Sequence, residues 1–169
     1  MEIQESLVLR QLDFTVYGES VAPKEALLSI LESRASEFGL GERRLTTGDF
    51  YDICEAEGVE VISHPGEASW YMEVKSRPFI VLSDSRKGIE KEFVMFHELG
   101  HYFLHAGNAD RPMRDSLGPS KKEFEANAFA LLALLPLADI EAIAEEDIED
   151  GYHTAALRER LRLLESCGV

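Results

Sequence analysis

Positive charge is scarce in this chain, cysteine is nearly absent, and no apolar run reaches membrane-spanning length. The 17 Lys and Arg residues stand against 32 Asp and Glu, a formal charge of −15. Such a surface repels phosphate backbones, so direct binding to nucleic acid is not expected, and a basic protein partner suits the charge better. Cys54 and Cys167 are far apart and neither belongs to a CxxC pair, which excludes a cysteine-built metal site and a disulfide framework. They read as two free thiols in a reducing compartment. Met1-Glu2-Ile3-Gln4-Glu5 is polar and acidic where a secretory signal would be basic and then apolar. With no transmembrane run either, the expected location is cytoplasmic. Repeats, low-complexity tracts and Pro/Gly/Ser-rich linkers are also missing, so the 169 residues are expected to form one domain, 1–169. A chain of this length buries roughly 70% of its extended surface and needs no metal merely to fold.

What is present is a patterned globular sequence. Leu12, Phe14 and Val16 alternate with polar residues as a short strand would. Pro23 opens a helical pattern to about Phe38, carried by Leu27, Leu28 and Leu31 and closed by Gly39 and Gly41. A second helix is expected from Gly48 to Ala56, capped by Thr46 or Thr47 and stopped by Gly58. From Val59 to Ser63, Trp70 to Val74 and Phe79 to Leu82 the pattern suggests three short strands in a meander. Ser83-Asp84-Ser85 offers a cap for a strongly helical stretch, about Gly88 to Leu104, with Gly107 as its stop. After a polar loop, Asn108 to Pro119, the capping-box sequence Ser120-Lys121-Lys122-Glu123 starts a helix that Pro136 ends. A weaker helical pattern, Thr154 to Glu165, follows. Helices, a small sheet and more helices make an α+β arrangement.

The chemistry lies in His97-Glu98-Leu99-Gly100-His101. On a helix, positions four apart share a face one turn apart, so both histidines can reach one metal ion. Glu98 projects beside them, placed to take a proton from a metal-bound water and pass it to a leaving amine. Burying these groups in a stretch as apolar as Phe93 to Leu104 would be costly without a partner. A catalytic zinc needs a third protein ligand and one open position. His105 lies eight residues from His97, roughly 12 Å along a straight helix, too far for three side chains to converge. It reads instead as a supporting or core histidine.

The helix after Ser120 is the better source. Glu123 and Asn127 are one turn apart, and Asn127 is the odd polar residue in Ala126-Asn127-Ala128-Phe129-Ala130-Leu131. A buried amide needs a partner, and a metal-ligating histidine has a spare ring N–H to offer. Glu123 as ligand with Asn127 orienting a histidine is the favoured pairing. The other reading keeps Glu123 in a capping box with Ser120 and leaves Glu125 as the ligand. A His2Glu site can also accept manganese.

With these residues in hand, the chain resembles the ImmA/IrrE-type metallopeptidases over about residues 48–136, leaving 1–40 and 137–169 as accessory segments. The likeness runs from Asp49-Phe50-Tyr51-Asp52-Ile53 through Pro78-Phe79-Ile80-Val81-Leu82 and Glu92-Phe93-Val94-Met95-Phe96-His97-Glu98-Leu99-Gly100-His101-Tyr102-Phe103-Leu104-His105. It ends with Glu123-Phe124-Glu125-Ala126-Asn127-Ala128-Phe129-Ala130-Leu131-Leu132-Ala133-Leu134-Leu135-Pro136. The resemblance implies a small zincin-like domain, with the sheet packed on the HExxH helix. It further implies zinc on His97, His101 and Glu123, Glu98 as catalytic residue, and a helix-turn-helix repressor as substrate. No helix-turn-helix segment of the chain's own is recognisable in it.

Three functions follow as expectations. The first is a zinc endopeptidase that cuts a regulatory protein, with an edge such as Trp70 to Val74 pairing with the extended substrate. Tyr102 is a minor candidate for stabilising the oxyanion, since helix spacing turns it away from the histidines. The second is a zinc-stabilised module that senses or sequesters a repressor or toxin without cutting, for which Glu98 would be needless. The third is proteolysis within a toxin–antitoxin pair, which uses the same chemistry.

Overall fold

A computed structural model describes residues 37–106 and 121–136, together with Asp139 and Arg160. The expected strand at 12–16, the body of the 23–38 helix, the Ser120 cap, Gly107 and the 154–165 helix lie outside the described residues. The elements run α1 (Thr47–Glu57), β1 (Glu60–His64), β2 (Trp70–Val74), β3 (Arg77–Ser83), α2 (Gly88–His105) and α3 (Lys121–Leu134). Among the described residues this is a small α+β unit whose named elements are three helices and a mixed three-stranded sheet.

Helix α1 starts and stops where its end residues dictate. The Thr46 hydroxyl accepts the Asp49 N–H while the Asp49 carboxylate accepts the Thr46 N–H, a reciprocal capping box. At the other end Gly58 turns the chain at φ 70°, and its N–H returns to the last carbonyls of the helix. Cys54, on the inner face of α1, is a free thiol, and burial pushes its pKa up to about 12.

The sheet order is β1-β3-β2, with β1 parallel and β2 antiparallel to β3. This corrects the meander, which would have put β2 in the centre. Burial explains the outcome: β3 carries the buried run Ile80, Val81, Leu82, whereas Trp70 and Val74 of β2 are exposed. The hairpin between β2 and β3 turns on Lys75 and Ser76 alone, both at positive φ (51° and 61°), with Val74 facing Arg77. Arg77 and Pro78 therefore belong to β3 and not to the loop. Pro78 is tolerated because pairing with β1 begins only at Phe79, so its missing N–H breaks no ladder bond.

Ile80 and Leu82 share a core with Phe50 and Ile53 of α1 and with Phe93, Phe96 and Leu99 of α2. Helix α3 is buried from Ala126 through Leu134, which explains its lack of a polar face beyond the first turn. Its C-terminal end is held from two sides: Leu45 N–H donates to Ala133 O at 2.8 Å, and buried Arg160 donates to Leu135 O at 2.9 Å. The expected serine cap of α2 is absent. Lys87 occupies the cap position without a side-chain bond, because Ser83 and Ser85 are spent on each other and on Gly66 O of the β1–β2 loop. No helix among the described residues is long and apolar enough to cross a membrane.

Candidate metal centre

Helix α2 packs Phe93, Phe96 and Leu99 into the core and turns His97, Glu98 and His101 toward α3 and the sheet. His97 and Glu98 are buried, and His101 is half-buried. Helix α3 crosses against this stretch and supplies the carboxylate. His97 Nε2 lies 3.1 Å from His101 Nε2 and 3.4 Å from the nearer Glu123 oxygen. His101 Nε2 lies 3.3 Å from the other Glu123 oxygen. Each carboxylate oxygen of Glu123 thus faces one histidine, and the three side chains are close enough to share one ion. Within the described residues, His97, His101 and Glu123 form the group of ligand atoms that could hold a metal ion.

The orientation of His97 is fixed from behind. Its Nδ1–H donates to Asn127 Oδ1 at 2.7 Å, which turns Nε2 toward Glu123 and His101. Phe93, one turn back on α2, stacks on the His97 ring with centroids 6.2 Å apart.

Glu125 points elsewhere. It is buried against His105, with Oε2 3.5 Å from His105 Nε2, while that nitrogen also lies 3.3 Å from Lys122 O. The structure thus brings Glu123, not Glu125, to the histidine pair, and places His105 one turn further along α2, against the first turn of α3. Burial, with the charge of His101 beside it, lowers the His105 pKa to about 4, so the ring is neutral at ordinary pH.

Electrostatics tie the three ligands together. Burial alone would raise the Glu123 carboxyl, but hydrogen bonds from His101 and His97 and their charges outweigh it and hold it well below the usual range. Burial likewise works against protonation of His97, yet Glu123, Glu98 and Asn127 together raise its pKa. Glu98 is shifted up, chiefly by burial and further by the Glu123 charge; the two histidines and the backbone N–H of Tyr71 pull it partly back.

That Tyr71 contact had no sequence signal, since a backbone N–H carries no letter. In a two-residue hairpin Val74 and Arg77 exchange hydrogen bonds, so Tyr71, three positions back, turns its N–H away from β3. There it meets the Glu98 carboxylate. Tyr102, by contrast, gives its hydroxyl to Glu57 at 3.0 Å and packs its ring on Tyr71 and Phe103, away from the three ligands.

The donor set is two imidazole nitrogens and one carboxylate converging on a point, with a second, buried carboxyl beside them. That is a composition suited to a divalent ion of borderline softness and to proton transfer next to it.

A family model described as the IrrE N-terminal-like domain matches residues 54–166. Uncharacterized immunity region protein 2 of Bacillus phage phi105 is 32% identical over 100 residues. That alignment covers 56% of this chain and 63% of the phage protein, so the chain spans somewhat less than two thirds of that relative. No solved structure matches.

Proposed function

The chain belongs to the ImmA/IrrE metallopeptidase family, and on that premise we propose that it is a zinc-dependent endopeptidase acting on a regulatory protein. The single observation that carries the reading is the convergence of His97, His101 and Glu123, with Glu98 buried alongside. His97 and His101 give their Nε2 lone pairs and Glu123 its carboxylate, while Asn127 holds His97 in the required tautomer. When bound there, zinc supplies a Lewis acid and a water acidified to about neutral pH. Glu98 accepts the proton of the attacking water and returns it to the amine nitrogen of the departing peptide.

Among the described residues β2 is an edge strand, and the side of it that carries the Tyr71 N–H borders Glu98. An extended substrate segment is proposed to add to this edge, where main-chain hydrogen bonds give affinity with little demand on sequence. The proposed substrate is a helix-turn-helix repressor. Support comes from the phage relative, whose name places it in an immunity region, and from the charge of −15, which favours a basic partner.

The test is the purified protein with one equivalent of zinc, incubated with helix-turn-helix repressors encoded beside it, the fragments being read by mass spectrometry. Glu98→Gln is expected to keep the zinc and lose the fragments. Equal cleavage by the variant would remove Glu98 from the chemistry, and a wild type that takes up no zinc would remove the metal.

A further inference from the structure

We infer that Gly100 is a positioning residue for the metal centre: by lacking a side chain it sets the spacing between α2 and α3 that brings Glu123 to His97 and His101. The inference rests on the metal-site reading above and concerns how this chain builds that site. A Cβ at position 100 would sit 3.0 Å from Phe129 Cβ, 3.1 Å from Ala126 Cα and 3.2 Å from Ala126 O. Two of those three atoms are α3 backbone, which cannot rotate aside as a flexible side chain would. Adding a methyl group therefore moves a helix, not a rotamer.

Nothing in α2 itself asks for glycine here. Gly100 is absent from the residues with positive φ, and it sits in the interior of an 18-residue helix. Glycine is the poorest helix former after proline, so alanine would suit the isolated helix better. The contact with α3 is what the missing side chain serves.

Its location gives the contact consequence. Gly100 lies between His97 and His101 on α2, and Ala126 lies between Glu123 and Asn127 on α3. The backbone approach is thus flanked by the polar attachments of the site: His97 to Asn127 at 2.7 Å, and the two histidines to Glu123 at 3.4 and 3.3 Å. On the far side, the His105–Glu125 contact at 3.5 Å keeps the first turn of α3 against the end of α2. A displacement of a few tenths of an ångström at the crossing is passed directly to the third ligand and to the residue that orients the first.

The experiment measures zinc affinity of the full chain by competition with a chromophoric chelator, beside thermal unfolding of the zinc-free protein. Gly100→Ala is expected to weaken zinc binding by about tenfold or more, on the scale seen when groups supporting a metal ligand are lost, while the zinc-free protein stays folded. Phe129→Leu loosens the same crossing but keeps a Cβ at 129. It is expected to lower the unfolding temperature and leave zinc affinity within about threefold, which separates spacing from packing loss. Gly100→Ala binding zinc as tightly as wild type overturns the inference. Glu123→Asp withdraws the carboxylate by one carbon–carbon bond without touching the crossing, and so tests whether the site is sensitive to ligand placement even if Gly100→Ala does not fold. Wild-type affinity in that variant would show that the site tolerates larger shifts than a methyl group imposes, and would also overturn it. A wild type that binds no zinc sinks the metal-site reading itself, a result distinct from either of these.

Discussion

Asn127 and His97 are thirty residues apart in the chain, and Oδ1 of one takes the Nδ1 proton of the other at 2.7 Å inside the protein. The bond decides which ring nitrogen remains free to face Glu123. Asn127→Ala leaves His97 able to exchange tautomers and tilt, and zinc affinity is expected to fall ten- to a hundredfold. Asn127→Asp retains an acceptor and is expected to recover most of it. Isothermal titration of the zinc-free proteins reads both, and unchanged affinity in Asn127→Ala would remove this residue from the site.

Stability at low pH provides a second check, on α1. The Asp49 carboxyl is held well below the usual range, first by the hydrogen bond from Arg43, with the Thr46 bonds adding to it against the effect of burial. A depressed folded-state pKa stabilises the native protein fully above the unfolded value of about 3.9, and the stabilisation disappears as pH falls below it. Wild type is therefore expected to lose more stability than Asp49→Asn between pH 5 and the onset of acid unfolding, read as urea midpoints. Parallel losses in the two proteins would contradict it. Thr46→Ala, which removes the other half of the capping box, is expected to cost about 1 kcal/mol at neutral pH.

The hairpin of β2 and β3 places two side-chain-bearing residues, Lys75 and Ser76, in the left-handed region. Each such residue costs about 1–2 kcal/mol relative to an unstrained one, and Asn-Gly is the pair best suited to this turn. Replacing Lys75 with Asn and Ser76 with Gly is expected to raise stability by about 1 kcal/mol, roughly 2–4 °C in unfolding temperature. A lowered unfolding temperature would show that one of the two native side chains makes a compensating contact.

How much of this is written in the sequence differs from element to element. Both ends of α1 are legible because Thr46, Asp49 and Gly58 act within a few residues of themselves. β2 likewise keeps its expected bounds, Trp70–Val74. Its place at the edge was not legible, because alternation of apolar residues reports which face is buried and says nothing about which strand is the neighbour. The α2 cap misled for a different reason: Ser83 and Ser85 are good capping residues, but Ser83 bonds to the β1–β2 loop and Ser85 to Ser83, and the helix starts two residues after Ser85's neighbour Arg86.

At the candidate site, helical spacing is enough to pair His97 with His101, and a lone amide in an apolar run is enough to draw attention to Asn127 and, one turn before it, Glu123. Spacing could not choose between Glu123 and Glu125, which depends on how α3 is rotated against α2. The Tyr71 N–H and the approach at Gly100 involve backbone atoms and a missing side chain, and neither leaves a mark that can be read in one dimension.

The strand order also dictates a sequence of assembly. β2 and β3 are joined by two residues and can close as a local hairpin, on a time scale of microseconds. β1 precedes both, yet its partner is β3, so the chain must run through all of β2 before Glu60 can meet Phe79. A longer loop is closed for that pairing, and a parallel ladder returns slightly less per residue than an antiparallel one. β1 is thus expected to join the sheet last and leave it first, and its departure uncovers one edge of the most apolar strand in the sheet.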